Sequence, residues 1–105
     1  MELPLSITRA GANHVVMPGF TKNISSTGVL FTTGAAPDLG GPIEYIITLQ
    51  LEGPRPVNLR CMGKVLRSER TNVVGDARRS FEVAATLERY EFLRDLEVRP
   101  APVSA

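Results

Sequence analysis

Hydrophobic and polar residues alternate with a period of two along most of the chain. Successive side chains of a β-strand point to opposite faces, so this alternation predicts strands with one buried face. The clearest case is residues 42–53. This segment begins at Pro42 and ends at Gly53, which Pro54 follows, and all three are residues typical of turns. The apolar face of this segment carries Ile43, Tyr45, Ile47, Leu49 and Leu51.

A longer alternating segment covers residues 57–70. One face carries Val57, Leu59, Cys61, Gly63 and Val65, and the other carries Asn58, Arg60, Met62, Lys64 and Leu66. Gly63 inside such a run predicts a bulge or a sharp bend. Three more segments alternate, at residues 3–8, 28–33 and 80–90, and the last of these turns Phe81, Val83, Ala85 and Leu87 inward. Residues 14–24 predict a less regular strand, which Pro18 and Gly19 interrupt. About six strands with turn signals between them favour an all-β fold, either an antiparallel sandwich or a small barrel.

The C-terminal part departs from this pattern. In residues 88–98, Tyr90, Leu93 and Leu96 recur at a spacing of three, with Phe92 beside them. This spacing predicts a short amphipathic C-terminal helix that covers the barrel. The closing residues 99–105 contain two prolines and predict a flexible tail, which leaves residues 1–98 as the single domain.

Composition narrows the class of protein. The 105 residues are 43% hydrophobic and 22% charged with a net charge of +1, which disfavours a dedicated binder of a nucleic-acid polymer. The single cysteine, Cys61, excludes an intramolecular disulfide. The N-terminus does not resemble a signal peptide, and no apolar stretch reaches the ~18 residues of a membrane span. We therefore expect a cytoplasmic protein without membrane insertion.

Residues for catalysis are scarce. His14 is the only histidine, and Cys61 lies on the apolar face of a strand, where a buried, unreactive thiol is expected. The sequence contains no glycine-rich phosphate loop followed by lysine and a hydroxyl residue. The prediction is a protein that is not an enzyme, with no catalytic residue, no metal site and no resident cofactor.

The run Asn-Ile-Ser-Ser-Thr-Gly at residues 23–28 has two interpretations. It is either a plain turn or a polar binding site at the start of a strand. Alternation places Asn23 and Ser25 on one side of the chain, with Ile24 facing the core. Gly28 permits either a positive φ or a close approach of backbone. Amide and hydroxyl groups so arranged can hydrogen-bond the edge of a planar heterocycle.

These residues resemble a known family. Residues 23–28 match the Asp/Asn-x-Ser-x-x-Gly motif of PilZ domains, and residues 63–67 (Gly-Lys-Val-Leu-Arg) resemble that family's Gly-x-Val-x-Arg strand. Residues 81–85 are similar to its penultimate strand, and residues 88–96 to its C-terminal helix. The resemblance implies a six-stranded antiparallel β-barrel with a short C-terminal helix. It also implies a bacterial second-messenger receptor that binds cyclic di-GMP and passes the signal to an effector protein.

The resemblance also implies a set of ligand-binding residues. Asn23 and Ser25 would contact a guanine edge. Gly28, which has no side chain, would allow a close approach of the ligand or of the turn. Lys22 and Arg67 are candidate cations, and Arg67 could stack on a base or pair with a phosphate. The alternative for Arg67 is a solvated charge at the end of a strand.

One element of the family pattern is missing. PilZ domains carry an Arg-x-x-x-Arg segment before the first strand, whereas Arg9 is the only arginine before Asn23 and is followed four residues later by Asn13. Either the chain is a PilZ-like interaction module that has lost the dinucleotide, or the segment lies upstream of Met1. Loss of two charge-assisted contacts, each worth roughly 1.5–3 kcal/mol, predicts weakened binding.

Two further expectations concern partners. Exposed strand edges allow a monomer or a homodimer. A small barrel that binds single-stranded nucleic acid through Arg60 and Lys64 is the third hypothesis. It is disfavoured because such sites use exposed aromatic side chains, and Phe31, Tyr45 and Phe81 are predicted to point inward.

Overall fold

The computed structural model describes residues 2–49 and 56–93 and forms a closed antiparallel β-barrel of six strands, with a seventh strand attached. The strands are β1 (Pro4–Ala10), β2 (Asn13–Ile24), β3 (Gly28–Thr33), β4 (Pro42–Leu49), β5 (Val57–Arg70), β6 (Phe81–Thr86) and β7 (Arg89–Leu93). The strand order around the barrel is β4-β1-β2-β3-β6-β5, and pairing of β4 with β5 closes it. A short 3₁₀ turn at Ala77–Arg79 precedes β6.

The inward faces of these strands form one core, and the alternation along the sequence predicted them. The buried apolar side chains are Leu5, Ile7, Val29, Phe31, Ile43, Tyr45, Ile47, Cys61, Val65, Val83 and Ala85. The rings of Phe31 and Tyr45 lie 5.6 Å apart at the centre. Burial raises the pKa of the Cys61 thiol to about 12, so this cysteine is a protonated, unreactive core residue at neutral pH.

Strand β5 is long enough to pair with two other strands along one of its edges. Its first half pairs with β4 on one side and with β7 on the other, and its second half pairs with β6. At the junction a Cβ on Gly63 would lie 1.9 Å from the Thr86 carbonyl oxygen. The strand therefore requires glycine here for a close backbone approach, while the register shift lies two residues further on, between Val65 and Arg67.

The predicted C-terminal helix is wrong where the structure describes it. Arg89–Leu93 is strand β7, and its residues lie opposite residues 58–62 of β5. A free edge of β5 offers unpaired backbone groups, and this tertiary pairing overrides a weak local helical pattern. The rest of the predicted helix (94–98), the predicted tail (99–105) and the apolar position Leu51 lie outside the described residues. Within residues 2–49 and 56–93 no helix is long and apolar enough to span a membrane.

Candidate ligand-binding site

Four side chains form a row across the outer face of the barrel. Asn23 on β2 lies opposite Leu30 on β3, Leu30 opposite Ala84 on β6, and Ala84 opposite Arg67 on β5. Neighbouring strands are about 4.8 Å apart, so the row spans roughly 14 Å along the sheet. A pocket of about 200 Å³ lies over this row. The lining is completed by Ser25, Gly28 and Val29.

Two β-bulges place the polar ends of this row outside the barrel. Thr21 is buried, and simple alternation would also turn Asn23 inward, but the register shifts between these two residues. The shift between Val65 and Arg67 acts in the same way, because Val65 is buried and Arg67 is exposed. A bulge re-aims the side chains that follow it. Both polar ends of the pocket therefore depend on these local irregularities.

Asn23 is the polar group that the pocket leaves most available. Its side chain is exposed and has no hydrogen-bond partner among the described residues. An amide offers two N–H donors and one oxygen acceptor, which is enough to bind two adjacent atoms on the edge of a base. Asn23 is therefore positioned to read a planar ligand lying over Leu30 and Ala84.

Ser25 is engaged in the turn itself. Its Oγ accepts from the backbone N–H groups of Thr27 at 3.3 Å and Gly28 at 3.2 Å, and its hydroxyl donates to the Gly28 carbonyl at 3.2 Å. The Ser25 N–H also donates to that carbonyl at 2.9 Å. The two interpretations of residues 23–28 thus apply to different residues, since Ser25 shapes a turn and Asn23 faces the pocket.

Glycine at position 28 allows a close approach of neighbouring backbone, and its φ is not positive. A Cβ at this position would lie 3.1 Å from the Ala85 carbonyl oxygen, and its φ is outside the left-handed region. Ile24 lies opposite the buried Val29, as expected for an inward residue, yet it is 39% exposed. The prediction that Ile24 faces the core is therefore only half right, because the strand ends here and little packs over its last residue.

The two candidate cations have different surroundings. Arg67 lines the pocket, and its guanidinium has no ion-pair partner among the described residues. Lys22 is the extra residue of the β2 bulge, and its Nζ donates to Glu82 Oε1 at 2.9 Å. Lys22 is not among the residues that line the pocket. Arg67 is thus available to a ligand, whereas Lys22 is already paired.

Sequence reasoning missed the floor of the pocket. Leu30 and Ala84 are half-buried on the outer face, where alternation leads one to expect polar residues. An apolar residue at an outward position was the signal that could have identified them. No group of three or more histidine, cysteine or acidic side chains suited to a metal ion occurs in the described part of the chain.

Comparison of this chain with protein-family models, with curated proteins and with solved structures found no match.

Proposed function

We propose that this protein is a PilZ-type signalling domain that binds cyclic di-GMP weakly through the pocket over Asn23, Leu30, Ala84 and Arg67. The observation that carries the proposal is the shared pocket: Asn23, Ser25 and Gly28 of the hexapeptide line it together with Arg67, which comes from a different strand. A motif and a distant arginine that converge on one pocket are better explained by a ligand than by a turn alone.

The pocket chemistry suits a guanine base. A guanine presents the N7 and O6 acceptors, which the planar fork of an arginine can bind together. The Asn23 amide can bind the other edge, and the apolar floor of Leu30 and Ala84 can contact the face of the ring. The pocket holds about 200 Å³, below the roughly 300–1,000 Å³ typical of sites for drug-sized ligands. One base would therefore occupy it, with the rest of the dinucleotide on the surface.

Calorimetric titration with cyclic di-GMP tests the proposal. We expect saturable heat, and about a tenfold loss of affinity in each of Asn23→Ala and Arg67→Gln, since each removes one specific contact worth about 1.4 kcal/mol. Arg70→Gln is the matched control, because Arg70 is an exposed arginine of the same strand that contacts the Phe81 ring instead of the pocket. Ser25→Ala also removes turn hydrogen bonds, so its affinity has to be read beside its thermal unfolding.

Absence of saturable heat at millimolar dinucleotide, or equal affinities in Arg67→Gln and Arg70→Gln, would contradict dinucleotide binding by this pocket.

The second candidate is an interaction module that does not bind the dinucleotide. Arg9, the only arginine before Asn23, donates to His14 Nε2 at 3.1 Å and does not line the pocket. Strand β7 pairs only with β5 among the described residues, and it exposes Tyr90 (59%) and Phe92 (57%). Such an edge can add a strand from an effector protein. Effector binding that is insensitive to cyclic di-GMP and is lost in Tyr90→Ser/Phe92→Ser would favour this candidate.

A further inference from the structure

A second pocket lies over another row of the outer face. Arg9 on β1 lies opposite Glu44 on β4, Glu44 opposite Met62 on β5, and Met62 opposite Arg89 on β7. The pocket holds about 270 Å³, and none of its described lining residues also lines the first pocket. Its lining is completed by Pro42, Ile43, Gly63, Lys64 and Glu88.

The carboxylates of this pocket already have partners. Glu44 accepts from the Thr8 hydroxyl at 2.8 Å and from Arg60 Nη2 at 3.2 Å. Burial pushes the pKa of Glu44 upward, but the Thr8 hydrogen bond and the Arg60 charge outweigh it and hold the pKa below its ordinary value. Glu88 accepts from the Thr86 hydroxyl at 2.9 Å. Both carboxylates are therefore held by neighbours, and Glu44 is neutralised by a cation outside the lining.

The cations of the pocket are in surplus. Lys64 and Arg89 are exposed, and neither side chain has an ion-pair or hydrogen-bond partner among the described residues. Arg9, turned outward by the register shift between Ile7 and Arg9, donates to the ring of His14, and its charge also helps to lower the pKa of Glu44. Among the described residues, three cations thus face a cavity in which Glu44 is paired with Arg60 and Glu88 has no cationic partner, and this imbalance favours an anion.

The floor of the pocket is apolar. Met62 and Pro42 lie at the surface of β5 and β4, and Ile43 beneath them belongs to the core. Gly63 lines the cavity with backbone only, because the place of a Cβ on this residue is taken by the Thr86 carbonyl oxygen. A ligand for this cavity needs an anionic head for the cations and a small apolar body for the floor, since binding sites combine apolar lining with a few placed polar groups.

We infer that this second pocket binds a small phosphate monoester with an apolar substituent, held by Arg9, Lys64 and Arg89 over Met62. Arginine matches phosphate with a planar pair of N–H donors, and lysine adds a point charge. This inference does not depend on cyclic di-GMP binding, because the two pockets share no lining residue.

Titration of ¹⁵N-labelled protein with phenyl phosphate, followed by amide chemical shifts, tests the inference. We expect saturable shifts centred on Met62, Gly63, Lys64 and Arg89, weaker saturation by inorganic phosphate and none by benzyl alcohol. Benzoate in a parallel titration distinguishes a carboxylate from a phosphate head. Arg89→Gln should weaken phenyl phosphate by about tenfold, whereas the exposed Arg70→Gln, outside the pocket, should not.

Several results would overturn it. Shifts that stay linear with ligand, or that centre on Asn23 and Arg67, mean that the second pocket does not bind phosphate. The same is true if Arg89→Gln and Arg70→Gln weaken binding equally while both retain the wild-type unfolding temperature. Tighter binding of benzoate than of phenyl phosphate would mean that the pocket selects a carboxylate and not a phosphate.

Discussion

The two pockets are built on one plan and differ in their charges. Each lies over four cross-strand neighbours of the outer face, the first across β2, β3, β6 and β5 and the second across β1, β4, β5 and β7. Among the described lining residues, the first has an amide and one arginine and no carboxylate, whereas the second has three cations and two carboxylates. The first is thus suited to the edge of a neutral base, and the second to an anion.

The comparison also shows how a small barrel makes sites on its outside. In three places a register shift follows a buried residue and turns the polar residue two positions later outward, at Arg9, Asn23 and Arg67. These three residues are three of the four polar ends of the two rows, and the fourth is Arg89. Because the closed interior is filled with side chains, the outer face is the surface left for ligands.

The largest expected effect separates the glycines of the two pockets. An added Cβ would lie 1.9 Å from the Thr86 carbonyl oxygen at Gly63, but 3.1 Å from that of Ala85 at Gly28. Backbone cannot yield as a flexible side chain can, so we expect Gly63→Ala to lower the free energy of unfolding by about 3 kcal/mol and Gly28→Ala by about 1 kcal/mol or less. Urea unfolding of both variants measures the difference, and equal losses would contradict the distinction.

A smaller effect tests the floor of the first pocket. Ala84→Leu fills the space over the row without entering the core, so we expect cyclic di-GMP affinity to fall at least tenfold while the free energy of unfolding changes by about 0.5 kcal/mol or less. Ala12→Leu, in the exposed turn between β1 and β2, is the matched control. Equal affinities of the two variants for the dinucleotide, measured by calorimetry, would contradict the assignment of Ala84 to the floor of the binding pocket.

The smallest effect concerns Glu44 of the second pocket. Its pKa in the folded protein is below the ordinary value of 4.5, so its contribution to stability is present above pH 4.5 and is lost as the pH falls through the folded pKa. We expect Glu44→Gln to cost about 0.2–1 kcal/mol at pH 7 and to lose less stability than wild type between pH 5 and 3.

Urea midpoints across that pH range measure the change, with Glu69→Gln as control. Glu69 is exposed and has no ion pair among the described residues, so Glu69→Gln removes a carboxylate without removing contacts of the kind that Glu44 makes. If the two glutamine variants had the same profile, the Thr8 and Arg60 contacts of Glu44 would carry no acid-dependent stability.

Prediction from the sequence was strongest where a buried face repeats. Alternation identified the inward residues of β4, including Ile43, Tyr45 and Ile47, because burial of every second side chain leaves a direct trace in the sequence. It failed at residues 89–93, which carry apolar residues at spacings that fit either a helix or a strand. The free edge of β5 decided for the strand by supplying hydrogen-bond partners that come from residues 58–62.

For the first pocket, the sequence indicated Asn23, Ser25, Gly28 and Arg67, and all four line it. It also indicated Lys22, which pairs with Glu82 on the neighbouring surface instead. The hydrogen bonds that hold the Ser25 hydroxyl in the turn depend on backbone geometry, which residue types alone do not specify.

By itself, then, the sequence determined an all-β fold, six of its seven described strands and the composition of its core, because period-two burial is a local property of the chain. Only the tertiary structure decided that the sheet closes into a barrel and where register shifts turn Arg9, Asn23 and Arg67 outward. A one-residue register shift reverses the face of every residue after it, and the position of the shift is set by pairing with strands distant in sequence. The strands thus follow from the alternation of apolar and polar residues, and the outward polar residues of the pockets follow from register shifts that break this alternation.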